Sequence, residues 1–80
     1  MNRPSHLDEV LERAAVRRNL PHPKRCRQLR EVAGLTQADV AAAIGVRATA
    51  VSRWEGGTRS PTGSRLFAYA ALLKRLEAER

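Results

Sequence analysis

A chain of 80 residues has room for one domain with a small hydrophobic core, and its single cysteine, Cys26, excludes an internal disulfide bond. Apolar runs such as residues 67–73 are far shorter than the roughly 20 residues that span a bilayer, so we expect a soluble protein of the reducing cytoplasm. Lysine and arginine number 15 against 8 acidic residues, a net charge of +7 that makes a polyanionic partner plausible but does not identify one.

The first predicted helix spans about residues 6–18. Ser5 is placed to cap it, and Asp8 follows three residues later as a weaker form of the capping box. The apolar side chains of this segment recur along one helical face, namely Leu7, Val10, Leu11 and Ala14. This helix is expected either to cover part of the core or to form a dimer seam. Pro21 and Pro23 separate the helix from the next one, because each lacks an amide donor.

A second helix is predicted over residues 23–33. Pro23 suits its first turn, and Gly34 is expected to end it in a left-handed turn. The residues of its predicted buried stripe are Cys26, Leu29, Val32 and Ala33. His22 and Cys26 have a spacing that a metal ion can use, but two ligands do not make a four-coordinate zinc site. We therefore predict no metal and no cofactor.

Two short helix patterns joined by a glycine occupy residues 36–55. Thr36 is the predicted cap of the first, with Asp39 at its third position, and Gly45 supplies the turn. The second helix is predicted over residues 48–55. The side chains predicted to face inward from this unit are Val40, Ala41, Ile44, Val46, Val51 and Trp54. The opposite surface of the second helix carries Ala48, Thr49, Ser52 and Arg53.

A final helix is predicted over residues 64–79, after a loop that begins at Gly56 and Gly57. Ser64 is its predicted cap. Its apolar stripe comprises Leu66, Tyr69, Ala70, Leu73 and Leu76. Phe67, Leu72 and Leu76 widen this apolar surface, so they are expected to contribute to self-association. The whole chain is predicted to be all-α, as a compact bundle of five helices in a single domain over residues 1–80.

The segments of this chain, in this order, resemble the helix-turn-helix domains of the phage-repressor-like (XRE) transcription factors. The matching segments are Thr36-Gln37, Val40-Ala41, Ile44-Gly45-Val46, Val51-Ser52-Arg53-Trp54-Glu55 and Gly57-Thr58-Arg59-Ser60-Pro61. The resemblance covers about residues 24–70 and implies a lambda-repressor-like bundle with an added N-terminal helix and one long C-terminal helix. It also implies a prokaryotic or phage regulator, expected to be a nucleoid-associated repressor and a homodimer, that places the 48–55 helix in the major groove of double-stranded DNA.

The resemblance assigns base contacts to Ala48, Thr49 and Arg53, and Arg47 beside them is a further candidate from its position at the helix start. Arg53 is the first candidate, because its guanidinium fork matches the O6 and N7 acceptors of guanine. Thr49 is suited to a thymine methyl group or to a hydroxyl hydrogen bond. Ala48 departs from the family pattern, since many relatives carry a long polar residue there. Arg47 is either a DNA contact or a solvated cation at the helix start.

Phosphate contacts are implied at Gln37, Ser52, Gly57, Thr58 and Arg59, and more weakly at Lys24 and Arg25. For Gly57 and Thr58 the expected donors are the backbone amides. Ser52, Lys24 and Arg25 admit a plain surface role equally well. Relatives pair an arginine with a glutamate at the positions of Arg30 and Glu55, so a structural salt bridge is expected there.

Three alternatives concern the partner and the activity of the chain. Arginine makes up 13 of the 15 cations, which fits a polyanion-binding surface but also the coding bias of a G+C-rich genome. The fold also serves as a protein-interaction module, for example an antitoxin or a phage accessory factor. An enzyme is not expected, because His6, His22 and Cys26 do not form a set of nucleophile, base and orienting group.

Overall fold

The computed structural model describes residues 6–79 and consists, over that range, of helices without strands. The five helices are α1 (His6–Asn19), α2 (Pro23–Val32), α3 (Gln37–Ile44), α4 (Ala48–Glu55) and α5 (Gly63–Ala78). The predicted all-α bundle is therefore confirmed, whereas the predicted cap at Ser5 lies outside the described residues. Within residues 6–79, no helix combines the length and the apolarity that a membrane span needs.

The turn between α3 and α4 is fixed by local hydrogen bonds at both ends of α3. Thr36 Oγ1 accepts the amide of Asp39 at 3.0 Å, and the Asp39 carboxylate accepts the amide of Thr36 at 2.8 Å. The hydrogen bond from the Thr36 amide, followed by one from the Thr36 side chain, lowers the pKa of the Asp39 carboxyl. Gly45 ends α3 with φ +78°, and Val46 N–H donates to Ala41 O at 2.9 Å. The predicted cap at Thr36 and turn at Gly45 are confirmed.

The core lies where α2, α3, α4 and α5 meet. Its buried apolar side chains are Cys26, Leu29, Val40, Ala41, Val51, Trp54, Leu66, Tyr69 and Leu73. The rings of Trp54 and Tyr69 are tilted by 47°, with centroids 4.8 Å apart, a favourable arrangement for an aromatic pair. Trp54 and Val51 therefore anchor the inner side of α4, as the sequence predicts, and leave the outer side of the helix to solvent.

The buried face of α2 differs from the predicted stripe. Cys26 and Leu29 are buried, but Val32 is 70% exposed and Ala33 is exposed as well. Arg30 takes the inward position, because its guanidinium pairs with Glu55 inside the fold. Val32 projects about 200° round the helix from Arg30 and so points to solvent. The prediction was wrong because it reserved inward positions for apolar residues.

Helix α1 packs against α5 with a different face from the one that carries its large apolar residues. Ala15 and Val16 are half-buried and line a groove against α5. The exposed fractions of Leu7, Val10 and Leu11 are 62%, 44% and 57%, and Ala14 is exposed too. None of the described residues of α1 is fully buried. Helix α1 therefore packs on α5, but its stripe of large apolar residues is not the face that does so.

Helix α5 begins one residue earlier than predicted. Thr62 is the N-cap residue, and Leu66 N–H donates to Thr62 O at 3.3 Å, so Ser64 lies inside the first turn and does not cap it. The Thr62 side chain makes no capping hydrogen bond. The first amides of α5 therefore donate no hydrogen bond to the N-cap side chain, at the end of the helix where the macrodipole is positive.

Candidate functional site

The outer side of α4 forms a short polar ridge. Ala48, Thr49, Ser52 and Arg53 are all exposed along it. Arg47 occupies the N-cap position in an extended conformation and makes no side-chain capping bond, so its guanidinium is not used by the helix. Eight residues at 1.5 Å each give α4 a length of about 12 Å, which is close to the width of the DNA major groove.

An arginine-lined cleft opens between this ridge and the start of α5. Its volume is about 630 Å³, and among its lining residues are Arg47, Arg53, Arg59 and Arg65, which we call the arginine cleft. No carboxylate is found among the residues described as lining it. Four positive charges around one cleft produce a local positive potential that attracts polyanions. The fold thus brings together three of the predicted cations and adds a fourth.

Arg65 is the residue that the sequence-based prediction missed. It lies in the first turn of α5, beyond the segments that carry the family resemblance, and only the fold brings it to the arginine cleft. The uncapped start of α5 lies at the same place and reinforces the positive potential. The positive charge of Arg65 was visible in the sequence, but the position of Arg65 relative to α4 was not.

The loop that follows α4 uses its backbone amides within the protein. Gly57 N–H donates to Trp54 O at 3.3 Å, and Thr58 N–H donates to Arg53 O at 3.0 Å. Gly57 adopts φ +77°, which ends the helix in the left-handed region. Both amides expected to bind phosphate are therefore engaged in hydrogen bonds. The side chain of Arg59, by contrast, lines the arginine cleft.

A buried ion pair joins α2 to the end of α4. Arg30 Nε donates to Glu55 Oε2 at 2.7 Å, and Arg30 Nη2 donates to Glu55 Oε1 at 3.0 Å. The third nitrogen, Nη1, donates to Leu35 O at 2.8 Å. The exposed fractions of the two side chains are only 10% for Arg30 and 4% for Glu55. This bidentate geometry holds α4 at a fixed orientation against α2.

Glu55 also binds Gln37, the first residue of α3. Gln37 Nε2 donates to Glu55 Oε1 at 3.1 Å. Burial by itself raises the pKa of Glu55, but the hydrogen bonds from Arg30 and Gln37 outweigh it and lower the pKa below its ordinary value. The hydrogen bond from Arg30 to Glu55 raises the pKa of Arg30. Glu55, the last residue of α4, thus orients Gln37. The side chain of Ala48 is too short to contact Gln37 in the same way.

Lys24 and Arg25 are not brought to the arginine cleft. Arg25 donates to the two carboxylate oxygens of Glu77 at 3.0 and 3.1 Å. Glu77 follows Arg65 by twelve residues along α5, which corresponds to about 18 Å. Lys24 is exposed at the start of α2 and does not line the cleft. Neither residue is among those that line the arginine cleft, and their predicted contacts with phosphate remain predictions.

Comparison with known families finds a match over more than half of the chain. A family model described as helix-turn-helix matches residues 27–79, a range that begins within α2 and extends beyond the end of α5. No significant match was found among curated proteins or among solved structures. Helix α1 lies outside the matched range.

Proposed function

Because the chain belongs to the phage-repressor-like (XRE) helix-turn-helix family of DNA-binding domains, we propose that it regulates transcription by inserting α4 into the major groove of double-stranded DNA. The observation that supports this most is the exposed polar ridge of α4 beside the arginine cleft. A partner protein would be expected to need large apolar anchors on this surface, and the ridge carries none among its described residues.

The proposed base contacts use the side chains along the ridge. Arg53 donates two hydrogen bonds to O6 and N7 of a guanine. Thr49 and Ala48 are short enough for close approach and contact thymine methyl groups. Arg47, at the start of the helix, reaches either a base edge or the adjacent phosphate. Because Ala48 and Thr49 have short side chains, each copy of α4 discriminates between bases at few base pairs.

The proposed phosphate contacts flank the ridge. Arg59 and Arg65 line the arginine cleft and contact the backbone of one strand, while Gln37 and Ser52 contact it from the α3 side. Each neutralised phosphate releases counterions, so the affinity for DNA falls steeply with salt. Repression is the regulatory outcome we propose, because a domain that covers its operator blocks other proteins from the same DNA.

Self-association through α1 is part of this proposal. A single eight-residue α4 offers few base contacts, and a symmetric pair of helices doubles them on a palindromic operator. The large apolar residues on α5, Phe67, Leu72 and Leu76, are half-buried. The exposed stripe Leu7, Val10, Leu11 and Ala14 on α1 is more accessible. We therefore place the dimer seam on this stripe, with a second copy of the chain as its partner.

Sedimentation of matched variants tests this seam. The wild-type chain is expected to sediment as a dimer at high micromolar concentration. Leu11→Glu is expected to yield a folded monomer, because it places a charge in the apolar contact. Val32→Glu is the control, since Val32 is 70% exposed on α2 and lies outside the stripe. A monomeric wild type with and without DNA, or equal dissociation of both variants, would contradict the proposal.

Selection of bound duplexes from random DNA tests the proposed function as a whole. A sequence-specific regulator is expected to enrich one motif, with two half-sites related by two-fold symmetry and centred about 10 base pairs apart. The enriched duplex is expected to bind at least about a thousandfold more tightly than unrelated DNA at physiological salt. Recovery of random sequence at all salt concentrations would rule out specific recognition.

A further inference from the structure

One hydrogen bond ties helix α1 to the loop between α4 and α5. Arg17, in the last turn of α1, donates from Nη1 to Pro61 O at 3.1 Å. The two residues are 44 positions apart in the chain, and the bond is partly buried. Pro61 is itself buried, so this end of the loop is held both by packing and by its carbonyl. The loop is therefore attached to a helix that lies outside the range matched by the family model.

The two halves of this loop, residues 56–62, are held by different helices. The first half is held by α4, because Thr58 N–H and Arg59 N–H both donate to Arg53 O, at 3.0 and 3.3 Å. The Thr58 hydroxyl donates to the same carbonyl at 3.3 Å. Beyond Arg59, the bond from Arg17 is the one side-chain hydrogen bond to the loop among the described residues. Helix α1 thus restrains the half of the loop that α4 does not reach.

Arg59 lies two residues before the carbonyl that Arg17 binds. Residues 59–61 line the arginine cleft and also a second, smaller cavity of about 240 Å³. Arg17 is among the residues that line the second cavity but not among those that line the arginine cleft. Two residues of extended chain span at most about 7 Å, so fixing the Pro61 carbonyl limits the positions that Arg59 can take.

We propose that Arg17 is a positioning residue that keeps Arg59 in the arginine cleft. Its hydrogen bond to Pro61 O restricts the loop before DNA arrives, so that less conformational entropy is lost when Arg59 contacts a phosphate. Arg17 acts on DNA affinity only through Arg59 and makes no DNA contact of its own. The contact of Arg59 with phosphate rests on the proposed function, whereas the restraint of the loop by Arg17 does not.

Amide hydrogen exchange of the full chain, followed by NMR without DNA, measures this restraint directly. Arg17→Ala is expected to speed exchange at the amides of Thr58 and Arg59 about three- to tenfold, because their hydrogen bonds to α4 open more often when the end of the loop is released. The amide of Val46, which donates within the turn between α3 and α4, is the internal reference and is expected to keep its rate.

Arg18→Ala is the matched control for this variant. Arg18 is the next residue of α1, is exposed and lies in the same last turn. Its replacement removes the same charge from the C-terminal end of the helix, where the macrodipole is negative, but leaves the bond to Pro61 O in place. Exchange at Thr58 and Arg59 is expected to stay at the wild-type rate. Equal acceleration by both variants, no acceleration by Arg17→Ala, or equal acceleration at the loop and at the reference amide would overturn the proposal.

A double-mutant cycle on the affinity for a selected duplex tests the link to Arg59. Arg17→Ala is expected to weaken binding about three- to tenfold in the wild-type chain and less than about twofold in a chain that already carries Arg59→Ala. The slope of log affinity against log salt is expected to stay the same for Arg17→Ala and to fall by about 0.9 for Arg59→Ala, which removes a phosphate contact.

An equal loss of affinity in both backgrounds would overturn the proposal, and a reduced salt slope for Arg17→Ala would show that Arg17 contacts DNA itself. A wild-type chain that binds no DNA would refute the proposed function. In that case the exchange rates of Thr58 and Arg59 alone decide whether Arg17 holds the loop.

Discussion

Replacing Glu55 with alanine is expected to lower the free energy of unfolding by about 3–5 kcal/mol, which is a large share of the stability of a domain of this size. The variant leaves the guanidinium of Arg30 buried without its two hydrogen bonds to carboxylate. It also removes the acceptor of Gln37. Urea unfolding followed by circular dichroism measures the loss.

An exposed ion pair on α5 supplies the control for this variant. Glu79 pairs with Arg75 four residues earlier, and 62% of its side chain is exposed. Glu79→Ala is expected to change the free energy of unfolding by no more than about 0.5 kcal/mol. Arg30→Met combined with Glu55→Leu is expected to recover most of the lost stability, because no unpaired charge remains. Equal losses for Glu55→Ala and Glu79→Ala would contradict the role assigned to the buried pair.

The same pair predicts how stability depends on pH. Folding lowers the pKa of Glu55 below its ordinary value of 4.5. Its contribution to stability is therefore complete above about pH 4.5, and is lost as the pH falls through the lower pKa of the folded state. Asp39, whose pKa is lowered from 3.8, adds a loss in the same direction. Glu55→Gln is expected to reduce the fall in the free energy of unfolding at acid pH.

Replacing Arg53 with alanine is expected to abolish discrimination at one base pair of each half-site. A bidentate contact from arginine to guanine contributes about 1–3 kcal/mol of discrimination against other bases. Arg53→Lys keeps the charge but loses the planar fork, so it is expected to keep affinity for DNA better than it keeps the base preference. Repeating the duplex selection with each variant measures both effects.

Arg65→Ala is the matched control for Arg53→Ala, because it removes the same side chain from the opposite wall of the arginine cleft. Loss of a phosphate contact is expected to weaken binding to all sequences alike and to reduce the slope of log affinity against log salt by about 0.9. The selected motif itself is expected to stay the same. An unchanged motif for Arg53→Ala would remove that residue from the base-reading set.

The helix-turn-helix could be predicted closely because its signals are local. Thr36 and Asp39 lie three residues apart and form the cap of α3 by themselves. Gly45 is the residue type that the left-handed turn requires, and it stands where one helical pattern stops and the next begins. The inward positions of Val51 and Trp54 follow from helical periodicity alone. None of these features depends on distant parts of the chain.

The features that the sequence did not predict depend on contacts between distant residues. The family resemblance led us to expect the pair of Arg30 with Glu55, 25 residues later, but helical periodicity did not show that this pair would displace Val32 from the predicted stripe. The placement of α1 on α5 involves Arg17 and Pro61, which are separated by 44 residues. The position of Arg65 in the arginine cleft is equally a product of the folded chain. Helical periodicity identifies the faces of a helix but does not say which partner each face meets.

We propose that the outer side of α4 is the surface that contacts DNA. Backbone amide chemical shifts of the isotope-labelled full chain, recorded while the selected duplex is added, identify the contacting residues. The largest changes are expected on residues 47–53 and on Arg59 and Arg65. Changes confined to α1 and α2, with the amides of α4 unmoved by saturating DNA, would contradict this proposal.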